Sequence, residues 1–202
     1  SLGDGEIYVC PPVAYIPAKQ IGIDDFFLFK RFMPTKLSAS EIEGANGVTK
    51  KAIKAVGLEY SSAHVELVLT KNGWRVIELG PRLGRFRDRM YGLSYGIDHS
   101  LNDVKLHLGL KPEINTKLIR YSAAYSIYPH HEGKLTAIKG LDKVIGSPYL
   151  QWHKVFAEPG KQVAFAKHGG HALAELLIAS EDKSEFDKLA NEIEQHVYAK
   201  VD

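Results

Sequence analysis

Two apolar segments joined by an Asn-Gly pair constrain the fold of this chain most strongly. Residues 64–70 (HVELVLT) and 74–79 (WRVIEL) are rich in β-branched residues, and Lys71-Asn72-Gly73 separates them. Asn-Gly is the strongest short-range hairpin signal, because the favoured tight turn needs positive φ at both central residues. The sequence therefore predicts a β-hairpin with a turn centred on Asn72-Gly73.

Each predicted strand carries one acid inside its apolar run. Glu66 and Glu78 both have apolar neighbours on either side, and the hairpin puts their carboxylates on neighbouring strands. Two carboxylates at this short distance repel each other, and each loses hydration. A cation between them offsets both costs. Mg²⁺ takes one or two carboxylates plus substrate phosphates, so the pair indicates a metal site. The alternative is that both glutamates are hydrated residues on the open face of an antiparallel sheet.

The residues around these acids read V-E-L, a turn, and then I-E-L-G-P-R-L-G. This pattern resembles the catalytic hairpin of the ATP-grasp superfamily, which includes biotin carboxylase, the large chain of carbamoyl phosphate synthetase, L-amino acid ligases and carnosine synthases. There, an acid on one strand and E-x-N-x-R on the next hold Mg²⁺ on ATP, and the Arg faces the reacting acyl group. The resemblance implies that Glu66 and Glu78 are metal ligands and that Arg82 contacts the substrate or the intermediate.

Two positions depart from the family pattern. Gly80 stands at the Asn position, and Arg85 stands where many members have a second Gly after R-L-G. The first departure removes one metal ligand, which favours a non-catalytic remnant used for nucleotide sensing or subunit contact. A biotin carboxylase-like or carbamoyl phosphate synthetase-like subunit is a further alternative, as is an unrelated α+β binding module whose paired glutamates are surface residues.

Cations precede the hairpin in a predicted strand at residues 24–33 (DDFFLFKRFM), which has aromatic residues on both faces and ends at Pro34. Lys30 and Arg31 interrupt its apolar run. We interpret them as cofactor-binding residues that neutralise the phosphates of ATP. The alternative is an edge strand with hydrated charges.

Four arginines lie within eight residues after the hairpin, at positions 82, 85, 87 and 89. A helix that begins near Phe86 would add backbone N–H groups and a positive dipole end, which suit a phosphate or a carboxylate. Arg82 is the candidate catalytic residue, and Arg85 is a candidate for substrate binding. For Arg87 and Arg89 we prefer ion pairs with acids on a hydrated helix face.

His64 lies two residues before Glu66 and therefore on the same face of its strand. It is a candidate to orient the substrate or a metal ligand, and a strand histidine with satisfied hydrogen bonds is the alternative. The remaining histidines form no zinc pattern, because such a site needs three or four converging ligands and H-x-x-H at residues 168–171 spans a glycine turn.

Composition bounds the functional classes. The 202 residues include 26 Lys and Arg against 24 Asp and Glu, a net charge of +2 that calls for neither nucleic acid nor an anionic membrane. The single cysteine, Cys10, excludes an intrachain disulfide and fits a reducing cytoplasm. The chain has no apolar run of about 18 residues that could span a bilayer.

The predicted fold class is α+β. Residues 1–112 are expected to form the C-terminal half of an ATP-grasp catalytic module, and residues 113–202 a small C-terminal α+β domain. Ser38 and Glu41 form a capping-box signal for a helix that reaches Val56, and a last helix is predicted over residues 183–199. Because the chain opens on the turn signal Asp4-Gly5, we expect a preceding half that supplies the phosphate-binding lysines and the glycine-rich lid.

The sequence thus predicts a fragment of an ATP-dependent carboxylate–amine ligase. The resemblance implies ATP and Mg²⁺ (or Mn²⁺) as cofactors, and a small carboxylate and an amine as substrates. It also implies that the fragment alone is inactive. The expected partner is the missing N-terminal half of the same protein, a homodimer is left open, and neither nucleic acid nor a membrane is expected.

Overall fold

The computed structural model describes all 202 residues, Ser1–Asp202. They form five α-helices and ten β-strands. In chain order these are β1 (Ala14–Pro17), β2 (Leu28–Met33), α1 (Ala39–Ala55), β3 (His64–Thr70), β4 (Gly73–Gly80), α2 (Arg87–Tyr95), α3 (His99–His107), β5 (Tyr121–Ile127), β6 (Gly133–Lys139), α4 (Leu141–Ile145), β7 (Leu150–Val155), β8 (Gln162–Val163), β9 (Ala174–Ser180), α5 (Lys183–His196) and β10 (Tyr198–Val201). Every strand pair is antiparallel, which confirms the predicted α+β class.

The chain divides into two compact units that are not sequential halves. The first comprises Ser1–Pro12 and Thr35–Ile119, and the second comprises Val13–Pro34 and Arg120–Asp202. Residues 13–34 belong with the C-terminal part because β2 pairs with β5. A division near residue 112 between an ATP-grasp module and an appended domain stays a prediction.

The first unit contains the predicted hairpin, β3 and β4, as a two-stranded sheet. The turn differs from the prediction, since Thr70 pairs with Gly73 and the loop is therefore Lys71-Asn72. Of these residues only Gly73 has a positive φ, at 88°. The Thr70 hydroxyl fixes the turn by accepting a hydrogen bond from the Asn72 N–H at 3.1 Å and donating one to the Gly73 carbonyl at 2.8 Å.

A β-bulge interrupts the hairpin ladder beside the two acids. Leu67 pairs with Val76, whereas Glu66 pairs with Glu78, so Ile77 is an extra residue in β4. Side chains alternate between the two faces of a strand, and one extra residue therefore reverses the face of all that follow. The bulge is what places Glu78 on the face of Glu66.

Helix α1 packs on β4 in the same unit. Its capping box is confirmed, because the Glu41 N–H bonds to the Ser38 hydroxyl and the Glu41 carboxylate accepts from the Ser38 N–H. The Trp74 indole N–H donates to the Glu41 carbonyl at 2.9 Å, and its ring lies against Gly44. Two glycines inside α1 do not break it, and Gly44 provides the space for Trp74.

The second unit contains a five-stranded sheet of order β1-β2-β5-β9-β7 and a three-stranded sheet of order β10-β6-β8. One face of the larger sheet packs on α5 through fully buried apolar side chains, including Tyr125, Leu176 and Ile193. The predicted last helix was too long: α5 ends at His196, and the chain continues as β10, because Ala199 pairs with Ile138 and is buried beside Leu135.

None of the five α-helices has both the length and the hydropathy that crossing a membrane requires.

Candidate functional site

The centre of the candidate site is the pair Glu66 and Glu78, which are direct Cα partners across the β3–β4 ladder. Directly opposed residues share a face, with Cβ atoms about 4.5–5.5 Å apart. The Glu66 side chain is 25% exposed and that of Glu78 is 56% exposed, so both carboxylates are accessible to a ligand. The sequence prediction that these acids lie together on neighbouring strands is confirmed.

Each carboxylate has one partner, and each uses its Oε1 atom. The His64 Nε2 atom lies 3.1 Å from Glu66 Oε1, and an Arg82 guanidinium nitrogen lies 3.4 Å from Glu78 Oε1. Neither of these contacts involves the Oε2 atom of the glutamate. Two carboxylate oxygens on one sheet face therefore remain open to a hard cation.

This donor set fits Mg²⁺ held together with a substrate, rather than a closed metal site. No group of three or more His, Cys, Asp or Glu side chains converges on a metal position anywhere in the chain. Mg²⁺ retains several waters and is bound by one or two carboxylates plus substrate phosphates, so two carboxylates suffice for it. The residues that would hold the ion are Glu66 and Glu78.

Arg82 lies beside these acids, as expected from the R-L-G motif. Its side chain is 57% exposed, and it donates to Glu78 and to the Leu83 carbonyl at 3.2 Å. An exposed ion pair of this kind contributes little to stability. The guanidinium is therefore free to exchange its partner for an incoming carboxylate or phosphate, which it can bind with two hydrogen bonds.

His64 lies behind the Glu66 carboxylate and is mostly buried, with 14% of its side chain exposed. Burial is the largest influence on its pKa and lowers it, while the Glu66 carboxylate raises the pKa and the Arg87 and Arg82 charges lower it. The net direction is downward. Because an ionised carboxylate only accepts hydrogen bonds, we assign the proton of the neutral imidazole to the Nε2 atom that faces Glu66.

The loop between β4 and α2 brings a second buried group to His64. Gly84 is buried, and a Cβ atom added there would lie 2.7 Å from His64 Nδ1 and 2.7 Å from Arg87 Cγ. Helix α2 begins at Arg87, and Phe86 before it has a left-handed backbone with φ 62°. The imidazole thus lies between the Glu66 carboxylate and this loop.

The arginines that follow Arg82 differ in exposure, and one of them is not where the sequence predicted. Arg85 is exposed, and its guanidinium lies over the Phe86 ring at 5.5 Å. Arg89 is exposed on α2, as preferred for a hydrated helix face. The same expectation was wrong for Arg87, which is only 7% exposed, because it turns inward beside Gly84 and His64.

Lys30 and Arg31 lie in the second unit on opposite faces of β2. Lys30 forms a 2.6 Å ion pair with Glu194 of α5, and the Tyr125 hydroxyl donates to the same carboxylate oxygen at 2.8 Å. Arg31 is buried and lies 3.4 Å from the Ser126 hydroxyl. The alternative of an edge strand is wrong, since β2 lies between β1 and β5. Phosphate binding by these cations stays a prediction.

Sequence reasoning missed the contribution of Gly84 and the burial of Arg87. The only signal was the position of Gly84 in R-L-G, because a glycine after a strand often marks a close backbone approach. Nothing in the local sequence separates Arg87 from its exposed neighbours.

Comparison with known proteins gives a distant sequence match and several structures of similar fold. No family model matches the chain. The uncharacterised protein y4rH of Sinorhizobium fredii is 27% identical over 150 residues, which are 71% of this chain and 31% of that protein.

Among solved structures, the L-amino acid ligase from Bacillus licheniformis has a TM-score of 0.74 at 20% identity, over 88% of this chain and 45% of the ligase. The phosphoribosylglycinamide synthetase from Anaerococcus prevotii has a TM-score of 0.66 at 18% identity, over 88% of this chain and 46% of the synthetase. The chain thus spans less than half the length of these proteins.

Both solved structures are ATP-grasp proteins, and the likeness covers most of this chain. At this level of identity it shows the fold. The chain has the fold of the C-terminal part of ATP-grasp proteins.

Proposed function

We propose that the protein carrying this chain is an ATP-dependent carboxylate–amine ligase that activates a carboxylate as an acyl phosphate. The observation that supports the proposal most is the pairing of Glu66 and Glu78 on one open sheet face with Arg82 beside them. A likeness to L-amino acid ligase of known structure, together with this pair, favours a ligase over other users of ATP.

In the proposed reaction, ATP transfers its γ-phosphoryl group to a substrate carboxylate, and an amine then displaces phosphate from the acyl phosphate. Bound Mg²⁺ would supply the positive charge that neutralises the transferring phosphoryl group. Glu66 and Glu78 would hold the ion through their open oxygens. Arg82 would leave Glu78 to stabilise negative charge on the acyl phosphate or on the tetrahedral species that follows.

The remaining predicted residues have supporting roles in this proposal. Arg85 is exposed in the loop after Arg82 and would contact the substrate carboxylate. Lys30 or Arg31, which lie on opposite faces of β2, would contribute positive charge to nucleotide phosphates. The substrates are a small carboxylate and an amine, and the complete protein supplies whatever part of the nucleotide site this chain lacks.

Isothermal calorimetry with Mg²⁺-ATP tests the proposal, on the 202-residue chain and on the complete gene product. We expect binding by the complete protein that requires Mg²⁺ and is lost with Glu78→Gln. Glu43→Gln is the matched control, because Glu43 is an exposed acid on α1 in the same unit. Binding that is absent from a folded complete protein, or that is insensitive to Glu78→Gln, would contradict the proposal.

A second candidate is a non-catalytic remnant that senses nucleotide or contacts a subunit, and Gly80 favours it. Such a remnant would bind nucleotide without forming product. Trapping with hydroxylamine separates the two, because an acyl phosphate yields a hydroxamate whereas bound ATP alone does not. Hydroxamate that depends on both ATP and a carboxylate would exclude the remnant.

A further inference from the structure

The His64 ring is held at both of its nitrogen-bearing edges. Its Nε2 atom lies 3.1 Å from Glu66 Oε1, and its Nδ1 edge lies against the backbone of Gly84. The first contact orients a carboxylate on β3. The second reaches the loop that carries Arg82 and leads into α2.

Only a residue without a side chain allows the second contact. A Cβ atom at position 84 would approach His64 Nδ1 to 2.7 Å and His64 Cε1 to 3.0 Å. Real Cβ atoms essentially never come within 3.0 Å of a heavy atom outside their own residue and its chain neighbours, so any larger residue would have to displace the imidazole or the loop. The Arg87 Cγ atom would also lie 2.7 Å from this Cβ atom.

Backbone hydrogen bonds fix the loop that contains this glycine. The Arg87 N–H donates to the Gly84 carbonyl at 3.1 Å, and the Arg82 N–H donates to the Gly80 carbonyl at 2.8 Å. The imidazole therefore packs on a loop with a defined backbone path.

We propose that His64 is a positioning residue that couples the Glu66 carboxylate to the Arg82 loop, and that Gly84 provides the space for this contact. The proposal rests on the proposed function, in which Glu66 holds the metal and Arg82 the acyl phosphate. The imidazole fixes a glutamate that would otherwise sample several side-chain rotamers. It also keeps the distance between the metal ligand and the arginine loop constant.

The expected size of the effect follows from other metal sites. Residues that hydrogen-bond a metal ligand from behind orient it, and their loss typically costs about 10–100-fold in metal affinity. We therefore expect His64→Leu to weaken Mn²⁺ binding at the hairpin about 10-fold or more. Glutamine places an amide N–H near the position of the imidazole Nε2–H, so we expect His64→Gln to restore most of the affinity.

The first measurement needs no metal. NMR coupling constants of the Glu66 side chain report whether it occupies one rotamer or averages over several, and Glu78 is the internal reference. We expect a single rotamer in the wild type and in His64→Gln, and averaging in His64→Leu. A Glu66 rotamer that is unchanged in His64→Leu would overturn the proposal.

The second measurement is Mn²⁺ titration of the 202-residue chain and of the complete protein, followed by water-proton relaxation. Gly84→Ala should weaken binding as His64→Leu does, since it displaces the same ring. Gly92→Ala is the matched control, because a Cβ atom at Gly92 in α2 meets nothing within 4 Å. Equal affinity of the wild type, His64→Leu and Gly84→Ala would also overturn the proposal.

The NMR measurement and the Mn²⁺ titration together distinguish a failure of the positioning role from a failure of the proposed function. If the wild-type proteins bind no Mn²⁺ but the Glu66 rotamer depends on His64, the function fails and the positioning contact stands. If they bind Mn²⁺ at Glu66 and Glu78 regardless of the residue at 64, the function stands and the positioning role fails.

Discussion

Gly80 lies directly across the β3–β4 ladder from His64, and the next pair on the same face is Glu66 and Glu78. The position without a side chain is therefore adjacent to the two carboxylates. The φ of Gly80 lies outside the left-handed region, and a Cβ atom there would make only ordinary contacts of 3.5–3.7 Å with the Arg82 side chain. The fold can accept a Cβ atom at this position.

The absence of a side chain at position 80 leads to the prediction that a substitution there can strengthen metal binding. Gly80→Asn should strengthen Mn²⁺ binding by roughly tenfold, or about 1.4 kcal/mol, because an amide oxygen is added to the two carboxylates. Water-proton relaxation titrations measure the change. Gly80→Ala is the control, since it adds the Cβ atom without a ligand and should leave the affinity unchanged. Equal affinities for the two variants would contradict a metal position on this face.

A pair of glycines in α1 predicts opposite effects of the same substitution. A Cβ atom at Gly47 meets nothing within 4 Å, so Gly47→Ala should raise the free energy of unfolding by about 0.5–1 kcal/mol. A Cβ atom at Gly44 would lie 3.1 Å from Trp74 Cδ1, so Gly44→Ala should lose this gain or destabilise. Urea unfolding of both variants measures the difference, and equal stabilisation would mean that Trp74 does not pack on Gly44.

The pKa of His64 sets a pH dependence of stability. Burial lowers this pKa below 6.5 in the folded chain, whereas the unfolded chain has the ordinary value. Below pH 6.5 the unfolded state therefore binds more protons than the folded state. The contribution of His64 to the free energy of unfolding is complete above pH 6.5, and it is lost as the pH falls through the folded pKa. NMR titration of the His64 ring gives the folded pKa. The stability difference between the wild type and His64→Gln should change in the same pH range, and a folded pKa above 6.5 would reverse that sign.

The pKa of the only cysteine predicts slow alkylation. Burial raises the pKa of the Cys10 thiol to about 11. Since the thiolate is the nucleophile, the rate of reaction with iodoacetamide should rise about tenfold per pH unit without levelling off below pH 10. In urea the rate should level off near pH 8.5, the ordinary pKa of a free thiol. Mass spectrometry follows the single modification, and a native profile like that in urea would contradict the raised pKa of Cys10.

Lys30 can be tested as a structural or a phosphate-binding cation. Its ion pair with Glu194 predicts that Lys30→Met lowers the free energy of unfolding by about 1.5 kcal/mol, the low end for hydrogen bonds to charged groups. If Lys30 also binds phosphate, nucleotide affinity should fall in calorimetry at a temperature where the variant is fully folded. Stability loss with unchanged affinity would assign Lys30 to the packing of α5 alone.

The sequence predicted those features that depend on short-range chemistry. The capping box at Ser38 and Glu41 and the existence of the β3–β4 hairpin follow from residues a few positions apart, although the loop is Lys71-Asn72 and not the predicted Asn72-Gly73. The bulge at Ile77 did not follow, because nothing in an apolar β-branched run marks which residue is unpaired. A regular ladder from the observed turn would pair Glu78 with Val65 and point it to the opposite face.

Features that depend on distant residues were also beyond the sequence. The partner of β2 is β5, almost ninety residues later in the chain. Likewise, β10 forms because its residues pair with β6, although the local pattern continues the helical spacing of α5. The contact of His64 with Gly84 required the path of the loop after β4, which has no signature of its own.

The pairing of β2 with β5 has a practical consequence for dividing this protein into expressible pieces. Met33 and Ser122 are Cα partners, so the chain leaves the second unit after β2 and returns to it at β5, the strand that pairs with β2. A cut in the loop near residue 112 would separate β5 from β2, one of its two neighbours, and expose a strand edge prone to aggregation. A short linker that joins residues 13–34 directly to residues 120–202 would preserve the whole five-stranded sheet.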